Sequence, residues 1–104
     1  MAGRVLDRHR ATTAIPAVFI GAKGQLAGEI VDISLNGVLV RCSGHLEPGT
    51  VGKLGFASGN DTFRASASVR RVVPGVGLAF KFLNMTPVDR QTLHKLVLRL
   101  SLGK

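Results

Sequence analysis

Residues 63–82 read "FRASASVRRVVPGVGLAFKF". In the first half Phe63, Ala65, Ala67 and Val69 alternate with Arg64, Ser66, Ser68 and Arg70. A period of two marks an extended strand with one face in a core and the other in water, because side chains of a strand point alternately to opposite faces. "VPGVG" then turns the chain, and Val76, Leu78, Phe80 and Phe82 make a second alternating face.

Outward from this pair the same grammar repeats. "AIPAVFI" (14–20) is a first strand, in which Pro16 points to an edge position or a bulge. "GAKGQ" (21–25) supplies a turn, and "LAGEIVDIS" (26–34) and "GVLVRC" (37–42) are strands on either side of "DISLNG" (32–37). "HLEPGT" (45–50) turns the chain before a fourth strand, "VGKLGFA" (51–57), and "SGND" (58–61) reads as a hairpin turn. Several short strands at regular spacing, joined by glycine-rich turns, indicate a small β-barrel or sandwich.

After Phe82 the period changes. Thr86 suits a helix cap, Pro87 the first helical position, and Asp89 can reach back to the cap. Leu93, Leu96, Val97 and Leu100 fall on one stripe, Arg90, Lys95 and Arg99 lie off it, and Gly103 ends the run. The expected architecture is mainly β: a small barrel with one C-terminal helix over about 86–102. It forms a single domain, residues 14–104, behind a basic arm, residues 1–13.

Composition narrows the function. Apolar residues make up 45% of the 104, enough for one compact core. Lysine and arginine total 14 against 6 acids, a formal charge of +8, so the chain attracts anions. All five aromatic residues are Phe, which speaks against a surface built to stack rows of nucleic-acid bases. The single cysteine, Cys42, excludes an internal disulfide and a multi-cysteine zinc site. His9, His45 and His94 have no metal-ligand spacing, no glycine-rich loop opens a helix, and the six acids are not paired. These absences argue against an enzyme, a bound metal or a cofactor. No apolar stretch is long enough to cross a bilayer and the N-terminus lacks a signal-peptide core, so the expected location is the cytoplasm.

Two segments carry binding chemistry. In the arm, Arg4, Arg8 and Arg10 crowd together; guanidinium forks can clamp phosphate, although a solvated basic tail looks the same. In "DISLNG", Asp32 and Ser34 are two apart and share a face of an extended chain. A carboxylate, an acceptor-only group, can take the N1–H and exocyclic amine of a guanine edge. Asn36-Gly37 tolerates positive φ and offers a tight turn. An ordinary Asn-Gly turn in which Asp32 caps its own backbone fits the same residues equally well.

Taken together, Arg-x-x-x-Arg (Arg4 to Arg8) and Asp-x-Ser-x-x-Gly (Asp32, Ser34, Gly37), followed by "GVGLAFKF" and a terminal helix, resemble the PilZ domain family. That family comprises bacterial receptors for the second messenger cyclic di-GMP (c-di-GMP). The resemblance runs over essentially the whole chain. It implies a six-stranded antiparallel barrel with a C-terminal helix, an arginine pair at Arg4 and Arg8 that binds phosphates and stacks on a guanine, and a guanine-gripping turn at Asp32, Ser34 and Gly37. Arg10 lies closest to the first strand, so a register using Arg8 and Arg10, with Arg4 spare, stays open. The expected role is a non-enzymatic sensor that relays the signal to a downstream protein partner. The alternatives are a nucleotide-independent adaptor and, least favoured, a small basic RNA-binding barrel.

Overall fold

The alternation of residues 63–82 becomes two paired strands, β5 (Asp61–Val73) and β6 (Gly77–Leu83). Their inward faces bury Phe63, Ala65, Ala67, Val69, Leu78, Phe80 and Phe82. Four earlier strands complete the sheet: β1 (Arg10–Gly21), β2 (Gly24–Ser34), β3 (Gly37–Arg41) and β4 (Val51–Ser58). All pairings are antiparallel, and the order β1-β2-β3-β6-β5-β4 closes into a barrel through β1 and β4. The computed structural model describes residues 10–22, 24–59 and 61–102. Arg4 and Arg8 of the expected arm, and Gly103, the expected helix stop, lie outside the described residues.

All five phenylalanines are inside. Phe19 and Phe80 meet with ring centroids 4.7 Å apart, and Phe63 sits 5.2 Å from Phe56 and 5.5 Å from Phe82. Such tilted and edge-on pairs add to the burial term that holds the barrel together. The barrel exterior therefore keeps no aromatic ring for a base to stack on.

The helix, α1 (Pro87–Leu102), packs mainly on β1 and to a lesser extent on β5. Leu93, Leu96 and Val97 of the expected stripe are fully buried and Leu100 is half-buried. The Thr86 hydroxyl accepts the Asp89 N–H at 3.0 Å, satisfying one of the orphan donors at the helix start. At the far end the Arg99 guanidinium donates to the Ser58 carbonyl at 3.3 Å, tying α1 to the end of β4.

The first strand differs from expectation. It begins at Arg10 rather than Ala14, so residues 10–13 belong to the sheet and not to the arm. Arg10 pairs with Ser34, Ala11 with Ile33 and Thr12 with Asp32, before a register shift ahead of Ile15. Backbone pairing needs no apolar period, and for that reason the apolar run understated the strand. A closed barrel has no edge for Pro16 to occupy. Pro16 instead precedes the β4 pairing, which starts at Ala17, so on that side its missing N–H interrupts no ladder.

Candidate functional site

Two further register shifts shape one side of the barrel. In β2 the shift lies between Ile30 and Asp32. Ile30 and Ile33 are both buried although three apart, so Val31 is the extra residue and Asp32 and Ser34 come out on the same outer face. In β5 the shift lies between Val69 and Arg71, where the two partners Phe80 and Ala79 are adjacent on β6. Arg70 is the inserted residue, and both Arg70 and Arg71 are exposed on the outside. Strict alternation would have driven the Arg71 guanidinium into the core, at a cost a bulge avoids.

These faces meet across β3 and β6. Asp32 pairs with Leu39, Leu39 with Ala79, and Ala79 with Arg71, one row crossing four strands. Leu39 and Ala79, the middle of that row, make the floor of a cleft of about 270 Å³. Asp32, Ser34 and Asn36 form one wall and Arg70 and Arg71 the other. An acceptor wall thus faces a cationic wall, a pairing suited to a ligand that carries both donors and negative charge.

Within the turn, Ser34 is occupied by its own backbone. Its hydroxyl accepts from the N–H groups of Asn36 and Gly37 and donates to the Gly37 carbonyl, each at 3.3 Å. Ser34 therefore moulds the turn, as serine does in side-chain-closed turns. The Asn36 carbonyl accepts the Phe82 N–H at 2.9 Å, which fastens the turn to β6. The expected positive φ at Asn36-Gly37 is absent: among the described non-glycine residues only Asn84 has one, and Gly37 is not among the positive-φ glycines. Gly37 is needed for another reason. A Cβ there would collide with the Phe80 carbonyl oxygen, so β3 and β6 approach this closely only because the side chain is missing.

A family model described as the PilZ domain matches residues 7–99, nearly the whole chain. The chain belongs to the PilZ domain family. PilZ domains are ligand-binding receptor domains rather than enzymes. No curated protein matches the chain. Among solved structures, the PilZ domain of CeSA from a cellulose-synthesizing bacterium is 22% identical, with a TM-score of 0.73 over 89% of this chain and 98% of that one. The PilZ domain of YcgR from Escherichia coli, solved with c-di-GMP, is 17% identical, with a TM-score of 0.74 over 90% of this chain and 89% of that one. YcgR from Escherichia coli in complex with c-di-GMP is 20% identical, with a TM-score of 0.77 over 90% of this chain and 45% of that one. At these identities the likeness is one of fold.

Of the expected site residues, this PilZ domain brings Asp32, Ser34 and Gly37 together at the cleft, with the backbone of Arg10 in register opposite Ser34. Arg8 and Arg10 fall within the residues matched to the family; Arg4 precedes them. Arg70 and Arg71 were missed as site residues. The signal was present in "VRRVV", where a second consecutive arginine breaks the alternation and calls for a bulge. Among the described residues no group of three or more histidines, cysteines, aspartates and glutamates converges to hold a metal ion. No helix of the described residues is long and apolar enough to cross a membrane.

Proposed function

We propose that this domain is a cytoplasmic c-di-GMP receptor that relays occupancy of the Asp32–Arg71 cleft to a protein partner. The carrying observation is the cleft itself, which sets a carboxylate across the Leu39–Ala79 floor from two guanidinium groups. In this reading Asp32 accepts from the N1–H and amine of one guanine, Ser34 and Gly37 hold the turn that aims it, and arginines take the phosphates. All five Phe are buried, so base stacking falls to guanidinium planes as well. That burial also disfavours the RNA-barrel alternative, which would want exposed rings.

The arm and the start of β1 contribute arginines to the same ligand. The pairing of Arg10 with Ser34 supports the register in which Arg8 and Arg10 grip and Arg4 is spare. The start of the family match at residue 7 supports it too. Leu35, at the tip of the turn, lines one groove with Met85, Arg90 and Leu93. This gives the turn a route to the surface of α1, where a partner can sense the ligand.

Calorimetric titration of the purified protein with c-di-GMP tests the reading. Saturable binding that weakens about tenfold or more in Arg71→Ala, without loss of fold, supports it. No binding by the parent protein would leave the nucleotide-independent adaptor as the better account.

A further inference from the structure

We infer that Arg70, Lys81 and Arg90 form a second anion site, for a phosphate group, on the helix side of the 32–37 turn. The inference goes beyond the nucleotide reading of the neighbouring cleft and does not require it. Three cations from three elements, β5, β6 and α1, converge on a cleft of about 190 Å³ with Leu35, Asn36 and Met85, and no carboxylate lines it. None of the three forms an ion pair with a described residue, whereas Arg41 on the barrel surface pairs with Glu29 at 3.5 Å.

One local feature makes the gathering unfavourable without an anion. Like charges on one small cleft repel, and a bound anion reverses the sign of that term. The site is also held in shape: Lys81 pairs with Gly37 across β3 and β6, and the next residue, Phe82, donates its N–H to the Asn36 carbonyl at 2.9 Å.

The arrangement favours phosphate over carboxylate. A phosphate directs its oxygens tetrahedrally and can be met by forks and an ammonium arriving from different sides, whereas a planar carboxylate matches one fork. Because Arg70 lines both this cleft and the Asp32–Arg71 cleft, filling one site presets a wall of the other.

The test is a titration of the full chain with inorganic phosphate, followed by amide NMR, with chloride at matched ionic strength as control. Saturable shifts at Arg70, Lys81, Arg90 and Asn36 are expected with phosphate and not with chloride. Lys81→Gln combined with Arg90→Gln should weaken phosphate binding by about tenfold or more, while Arg64→Gln, exposed on the barrel exterior and outside both clefts, leaves it intact. Thermal melting of each variant confirms that it is folded. Addition of c-di-GMP then separates the sources: displacement of phosphate assigns the site to a nucleotide phosphate, and retention assigns it to free phosphate. Shifts that fail to saturate, that chloride reproduces, or that survive the double substitution would overturn the inference. Loss of c-di-GMP binding with the phosphate shifts intact would count against the proposed function alone.

Discussion

Two glycine-to-alanine substitutions in this barrel are expected to have opposite signs. At Gly37 an added Cβ meets backbone, the Phe80 carbonyl oxygen, with Lys81 Cα a further 3.3 Å contact, so no side chain can swing aside. Strand β3 must retreat from β6, straining the Gly37–Lys81 pairing and the Phe82 N–H to Asn36 bond. Overpacking costs about 1–3 kcal/mol and a lost hydrogen bond about 1 kcal/mol, for a total of about 2–4 kcal/mol. At about 4–8 °C per kcal/mol for a domain of this size, Gly37→Ala should melt roughly 10–30 °C below the parent. At Gly55 the nearest heavy atom to an added Cβ is Phe63 O at 3.8 Å, an ordinary contact, and φ is not positive. Gly55→Ala should therefore be neutral or stabilising by about 0.4–1 kcal/mol, through a less flexible unfolded chain. Thermal unfolding followed by circular dichroism reads both. If the two variants melt together near the parent, β3 and β6 do not approach as described, and the physical reason for a glycine at position 37 is lost.

Thr86→Ala removes the cap on Asp89 N–H and should cost about 1 kcal/mol, seen as a lower melting temperature with c-di-GMP affinity unchanged. Arg8→Ala in the arm and Arg10→Ala at the start of β1 should each weaken c-di-GMP binding about ten- to a hundredfold, with Arg4→Ala far less affected. Equal losses at Arg4 and Arg8 with Arg10 silent would restore the other register. Burial raises the Cys42 thiol above its ordinary value, backbone hydrogen bonds at Gly44 and Leu78 opposing the rise only in part. The stability this neutral thiol adds is complete below the ordinary thiol value and is lost as pH rises through the raised one. Iodoacetamide at mildly alkaline pH should accordingly modify the folded protein more slowly than the unfolded chain; equal rates would place the thiol in water.

Much of this fold could be read from local pattern. Phe63 to Val69 and Leu78 to Phe82 alternate because each strand has one buried face, and Leu93, Leu96 and Val97 recur at helical spacing because α1 buries one stripe. What escaped was whatever depends on a partner strand. The extent of β1 is set by pairing with β2 and not by its own hydrophobicity, so Arg10 read as arm. The bulges at Val31 and Arg70 are visible only as breaks in alternation, and the second one decides that two arginines share a face. The need for glycine at position 37 comes from a carbonyl on β6, forty-three residues away in sequence, and not from the conformation of the turn. Asp32 and Ser34 were found because their motif is local. Arg70 and Arg71 were not, because only barrel closure brings them opposite.

The central claim is that Asp32 reads a guanine edge in a c-di-GMP site, and base discrimination tests it most directly. Calorimetric affinities of the parent protein for c-di-GMP and cyclic di-AMP differ only through the base. Adenine lacks the N1–H, so the carboxylate would face an acceptor and go unsatisfied, at a cost of about 1–3 kcal/mol. The account predicts that c-di-GMP binds about ten- to a hundredfold more tightly and that Asp32→Ala abolishes most of the difference. Equal affinities for the two nucleotides, or a preference that survives Asp32→Ala, would contradict it.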